Sequence, residues 1–126
     1  MVSEAVPTAR RILIVEDEPL LAMNLEDMLI ELGHHVAGTA TRIDKALSLA
    51  EGSEFNLAIL DINLAGSNTF QVAAILQKRG IPFIFTSGYG ADGLIDGYRE
   101  ACLLTKPFGV KELEHMIAKA LSADVA

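Results

Sequence analysis

The stretch Leu57-Ala58-Ile59-Leu60-Asp61-Ile62-Asn63 decides the fold. Its apolar run does not alternate with polar residues, so it reads as a strand buried on both faces, as strands are inside a parallel sheet. The run ends on a carboxylate, Asp61, and passes through Asn63 into Ala65-Gly66-Ser67-Asn68, a turn-rich loop. Open parallel sheets bind their ligands outside the carboxyl ends of the strands, which makes an acid at that place a functional candidate. Aspartate is also common at strand ends and helix caps. The ends of the other strands decide between the two roles.

Upstream, Arg11-Ile12-Leu13-Ile14-Val15 is a second continuous apolar strand, and it ends on Glu16-Asp17-Glu18-Pro19. Neighbouring acids raise each other's pKa and are costly to hold together unless a cation or a lysine neutralises them. Glu18 and Pro19 suit the first turn of a helix, but that role leaves Glu16 and Asp17 unexplained. From Pro19 the spacing predicts a helix with Leu21, Leu25, Met28, Leu29 and Leu32 on its inner face, closed by Gly33. His34 and His35 have no third ligand at metal spacing and read as surface residues. Val36 to Ala40 is a weaker strand near the sheet edge. Arg42 to Glu51 is a helix turning Ile43, Ala46, Leu47 and Ala50 inward.

Downstream, Phe70, Val72, Ala73, Ile75 and Leu76 mark a helix that ends at Arg79-Gly80. Ile81 to Ser87 is the fourth strand and delivers two hydroxyls, Thr86 and Ser87, to its carboxyl end. Gly88 leaves open space beside them, as a ligand's approach requires. Gly93 and Gly97 predict a short, weakly formed helix within Ala91 to Glu100. Ala101 to Thr105 is the fifth strand, ending on Lys106-Pro107. A last helix runs from Val110 to about Ser122 with Val110, Leu113, Met116, Ile117, Ala120 and Leu121 inward. Strand and helix alternating in this way predict an α/β fold, a doubly wound (βα)5 sandwich.

The composition agrees. The 126 residues suffice for one domain, and with 51% hydrophobic residues burial is not limiting. A net charge of -7 argues against binding to nucleic acid or an anionic membrane. One cysteine, Cys102, excludes an internal disulfide, suits a reducing cytosol and reads as a small buried thiol. The N-terminus lacks the apolar core of a signal peptide and no apolar run reaches spanning length, so the expectation is a cytoplasmic domain. It divides into a loose leader at residues 1–9, one domain over 10–122 and a tail at 123–126.

Taken together, the strand ends supply Glu16, Asp17, Asp61, Thr86, Ser87 and Lys106. Clustered carboxylates suit Mg²⁺, which takes one or two of them and keeps waters and phosphate oxygens. Asp61 suits the nucleophile of aspartyl-phosphate chemistry. Lys106 and a hydroxyl suit the donors to the transferred phosphoryl group.

The segments Val15-Glu16-Asp17-Glu18-Pro19, Leu60-Asp61-Ile62-Asn63-Leu64, Phe85-Thr86-Ser87-Gly88-Tyr89 and Lys106-Pro107-Phe108 resemble the receiver domains of two-component response regulators, such as the chemotaxis receiver. The resemblance covers about residues 10 to 122. It implies a flavodoxin-like sheet of five parallel strands in order 2-1-3-4-5, with the site at the switch point between the first and third strands. It implies that Asp61 accepts a phosphoryl group from a histidine kinase. Asp17, Asp61 and the Asn63 carbonyl would hold Mg²⁺, with Glu16 acting through a water, and Lys106 would bind the phosphoryl group before a cis Pro107. Ungapped alignment of Pro82-Phe83-Ile84-Phe85 puts Ser87 at the switch position, Thr86 being the second choice, with Gly88 as the small residue after it.

Three departures stand out: no proline in the loop after Asp61, a glycine-bearing fourth helix region, and Leu103 where an aromatic often rotates. The chain looks closest to an atypical subgroup with a Phe-x-Thr-Gly-Tyr fourth strand, often found as stand-alone domains. Tyr89 and Asn63 are then candidates to set the autodephosphorylation rate. The resulting expectation is a binding module switched by phosphorylation, without an output domain, read by a downstream protein. The alternative is a phosphate sink or shuttle to a phosphotransfer protein. A degenerate receiver acting as a scaffold is disfavoured by the intact Asp17, Asp61 and Lys106. A phosphohydrolase with an aspartyl nucleophile generally wants a second acid where Asn63 stands, and a cap that so short a chain can hardly build.

Overall fold

Successive residues of a strand point to opposite faces of a sheet, and here both faces are apolar. The structure, a computed structural model, describes residues 9–88, 98 and 101–125, with side chains to residue 122. Its strands are β1 (Arg11–Val15), β2 (His35–Ala40), β3 (Leu57–Asp61), β4 (Asn63–Leu64), β5 (Ser67–Asn68), β6 (Phe83–Ser87) and β7 (Cys102–Thr105). Its helices are α1 (Pro19–Glu31), α2 (Ile43–Gly52), α3 (Phe70–Arg79) and α4 (Val110–Val125). From β1 and β3, Leu13, Val15, Ala58 and Leu60 pack with Ala46 and Ala50 of α2 and with Val72 and Leu76 of α3. Ile12, Ile14, Leu57 and Ile59 go the other way, against Leu25 and Leu29 of α1 and Leu113 and Ile117 of α4. Fully burying one such side chain contributes about 1.5–3 kcal/mol. The two central strands therefore hold both layers of helices.

The sheet has five strands in the order β2-β1-β3-β6-β7, all parallel, which is the doubly wound order the strand pattern and the resemblance imply. Chain connections leave β1 in one direction and β3 in the other, so a crevice opens between their carboxyl ends. Val15 pairs with Leu60, which brings Glu16 and Asp17 up beside Asp61. On the other side Asp61 pairs with Thr86, and Ser87 pairs with Thr105, next to Lys106.

Several local details differ from the sequence reading. Leu21, expected inside, is 38% exposed, and Ala22 takes the inner place with Leu25 and Leu29. β6 starts at Phe83, because Pro82 has no N–H for the ladder and contributes only its carbonyl, to Ala58. The last helix runs on to Val125 rather than stopping near Ser122. His34 is half-buried: its Nδ1 accepts the Arg10 N–H at 3.0 Å, and burial, Arg10 and His35 lower its pKa. Cys102 is also only partly buried. Gly80 closes α3 at φ 72°, in the left-handed region that glycine enters without steric cost. The expected helix within Ala91 to Glu100 lies outside the described residues, apart from Tyr98. No described helix is long and apolar enough to cross a membrane.

Candidate phosphoacceptor site

The loop after β3 is more ordered than its turn-rich sequence suggests. Asn63-Leu64 and Ser67-Asn68 pair antiparallel around Ala65 and Gly66, whose φ angles of 51° and 90° are both positive, as in a type I′ hairpin turn. Asn63 Oδ1 accepts the Gly66 N–H at 3.2 Å, so the Asn63 side chain is engaged in shaping this turn. The Ala65 N–H donates to Asp17 Oδ2 at 3.0 Å, tying the hairpin to the acid after β1.

Three carboxylates meet at the head of the crevice. One oxygen from each of Glu16, Asp17 and Asp61 lies within 4.8 Å of the others. The Lys106 amine reaches in from the end of β7 and donates to Glu16 Oε1 at 2.9 Å and to Asp61 Oδ2 at 3.0 Å. Glu16 Oε2 also accepts the Glu18 N–H at 3.1 Å, and Asp61 Oδ1 the Asn63 N–H at 3.3 Å. Burial pushes the Asp61 pKa up to about 6, and the Glu16 charge adds to this, against the opposing pull of Lys106. Burial works against the Lys106 charge as well, but its bonds to Glu16 and Asp61 outweigh that and raise its pKa. The lysine stays protonated at neutral pH, and two of the carboxylates share it.

A cleft of about 540 Å³ opens over these groups, lined by Asp17, Asp61, Asn63, Ser87, Gly88 and Lys106 among others. The expected site residues thus converge, with Glu16 buried at their edge. Thr86 stands beside Asp61 in the ladder but does not line this cleft; Ser87, one residue nearer the rim, does. Among the described residues, a Cβ on Gly88 would meet nothing within 4 Å. The Lys106–Pro107 peptide is cis. Tyr89 lies outside the described residues.

Thr69 is a residue that sequence reading passed over. It is completely buried, and its hydroxyl donates to the Asp61 carbonyl at 2.7 Å. Its N–H donates to the Ile62 carbonyl at 3.0 Å. A threonine directly before a helical pattern is a cap signal, and nothing in the pattern tells that it grips the acid eight residues earlier.

Known proteins with this arrangement are close enough to compare. The chain is 34% identical over 122 residues to the transcriptional regulatory protein PdtaR of Mycobacterium tuberculosis, covering 94% of this chain and 58% of the relative. It matches the solution structure of SdrG from Sphingomonas melonis at a TM-score of 0.78 and 40% identity, over 94% of this chain and 98% of that one. It matches PhyR from Bartonella quintana, described as an anti-anti-sigma factor, at 0.78 and 35% identity, over 93% of this chain and 49% of that one. The chain spans about half the length of the curated relatives it matches. The model of the response regulator receiver domain matches residues 12–118, nearly the whole described fold with its acid cluster and lysine, and the chain belongs to that family of two-component signalling domains.

Proposed function

We propose that the domain takes a phosphoryl group onto Asp61 from a phosphohistidine of a histidine kinase, and that the modified surface is read by a partner protein. The observation that carries this reading is the position of Asp61, a buried carboxylate held by Lys106 beside two further acids at the sheet's switch point. The donor set fits a hard divalent cation: all three side chains offer carboxylate oxygens within 4.8 Å of one another, with no soft ligand among them. Asp17, Asp61 and the Asn63 carbonyl would hold Mg²⁺, with Glu16 acting through a water. Bound there, the cation supplies charge neutralisation to the incoming phosphoryl oxygens.

The chain's own groups do the rest. An Asp61 oxygen attacks phosphorus, the P–N bond to the histidine breaks, and the imidazole nitrogen leaves. The Lys106 ammonium exchanges its Asp61 bond for a phosphoryl oxygen and offsets the charge gained, roughly -1.5 to -2 by analogy with other phosphorylated side chains. The Ser87 hydroxyl donates to a second phosphoryl oxygen, drawing the strand end toward Asp61. Thr69 holds the Asp61 backbone in place throughout. The domain acts as a receiver rather than as an enzyme on a separate substrate. Because PhyR is described as an anti-anti-sigma factor, an anti-sigma factor is the first partner to test.

The test is phosphoryl incorporation from acetyl phosphate with Mg²⁺, read by intact mass. Wild type gains one phosphoryl group and Asp61→Asn gains none. Equal incorporation in the two proteins, or none in wild type from either acetyl phosphate or a phosphorylated kinase, would overturn the reading.

A further inference from the structure

One aromatic side chain touches both α3 and β6, the elements on either side of the hydroxyls that serve the site. Tyr98 is half-buried and packs against the core cluster that holds Leu60 and Phe85. Its ring is stacked on Phe70, with centroids 5.1 Å apart and an interplanar angle of 26°. It meets Phe85 edge to face at 5.7 Å and 85°, and Phe70 meets Phe85 in the same way at 5.5 Å, so the three rings close on one another. The Tyr98 hydroxyl lies 3.4 Å from the Phe70 carbonyl and 3.4 Å from Gln77 Oε1, so one O–H serves two acceptors of α3. Both ring partners stand close to the chemistry. Phe70 opens α3 and directly follows Thr69, whose hydroxyl holds the Asp61 carbonyl. Phe85 lies two residues before Ser87 on β6 and so shares its face of the sheet.

Building on Asp61 as the phosphoacceptor, we propose that Tyr98 is a positioning residue that holds the site in its unphosphorylated arrangement and so opposes phosphoryl capture. Thr69 fixes the Asp61 backbone to the start of α3. A phosphoryl group on Asp61 draws Ser87 toward that fixed point, and Phe85, on the same strand face, shifts relative to Phe70. A rigid ring stacked on Phe70 and edge-on to Phe85 does not keep both geometries while the distance between its partners changes. Aromatic pairs favour these particular geometries beyond the area they bury. Contacts made in one state alone bias the equilibrium toward that state by their own strength. The Tyr98 contacts therefore weigh against the phosphorylated arrangement. The coupling is reciprocal, so the phosphoryl group in turn loosens Tyr98.

The test uses the full chain labelled with 3-fluorotyrosine. It has two tyrosines, so the fluorine signal missing from Tyr98→Phe belongs to Tyr98. Beryllofluoride with Mg²⁺, standing in for the phosphoryl group, should move that signal in wild type and leave it in place in Asp61→Asn. Tyr98→Leu keeps an apolar side chain and loses the stacking ring. It should bind beryllofluoride about 2- to 10-fold more tightly than wild type, the range that an aromatic pair accounts for. Tyr98→Phe keeps the ring and should fall closer to wild type. A side chain that only fills the core would lower the urea midpoint of Tyr98→Leu and leave its beryllofluoride affinity unchanged, and that overturns the role. A Tyr98 signal that stays in place while intact mass shows phosphoryl uptake also overturns it and leaves the reading of Asp61 standing. No uptake from any donor overturns that reading and this one with it.

Discussion

Asp61 carries two opposed demands: burial favours its neutral form, and the chemistry needs its charged one. Its pKa of about 6 in the folded chain lies above the ordinary carboxylate value near 3.9, so the folded state binds the extra proton. The metal-free protein should therefore lose stability as pH rises from about 4 to about 6 and then level off. Urea midpoints measured with a chelator between pH 4 and 8 check this, and Asp61→Asn should flatten that part of the curve. A divalent cation must displace the same proton, so Mg²⁺ affinity should fall as pH drops below about 6. Thr69 sets the backbone of that acid. Thr69→Val leaves the Asp61 carbonyl buried without its hydroxyl donor and should cost about 1–3 kcal/mol, whereas Thr69→Ser keeps the bond. If positioning is the role, Thr69→Val also slows phosphoryl incorporation at saturating donor, and Thr69→Ser restores the rate.

At the scale of elements, the hairpin between β3 and α3 is where this chain sets its own geometry. Ala65 sits at φ 51° in a turn whose first central position favours asparagine or glycine. The left-handed conformation costs an alanine on the order of 1 kcal/mol. Ala65→Asn should accordingly stabilise the domain by about 0.5–1 kcal/mol, read as a higher urea midpoint with the same slope, while the N–H to Asp17 remains. This element also marks the limit of what the sequence made legible. The central strands were clear because runs such as Leu57 to Leu60 have no polar face to place on a surface. Asp61 stood out because it follows directly on such a run, and Asp17 and Lys106 because each comes one residue after one. The hairpin was not, since Asn63 to Asn68 has turn residues and no periodic pattern, and the pairing is held by backbone bonds. Leu21 was misplaced because Ala22, small and without a strong pattern signal, fits closer to the sheet. The Thr69 bond was invisible for the same kind of reason: a tertiary contact through a backbone carbonyl leaves no trace in residue type.

Over the whole molecule, the acids are not spread evenly. The chain carries a net charge of -7, and three of its carboxylates are gathered where the sheet order reverses. One lysine cannot neutralise all three, so part of the cluster's repulsion is held in the fold and is relieved by a cation that binds only the folded state. Mass action then sets the size of the effect. At a tenfold excess over Kd, Mg²⁺ contributes about 1.4 kcal/mol, which for a domain of this size is a rise in Tm on the order of 5 °C. Thermal unfolding with and without Mg²⁺ measures it, with a larger divalent ion such as Ca²⁺ as a check on fit to the site. Asp17→Asn should remove most of the shift. It removes a repelling charge too, so its Tm without the cation should be no lower than that of wild type. A variant that instead unfolds earlier in both conditions would show that the Asp17 bond to the Ala65 N–H outweighs the repulsion among the acids.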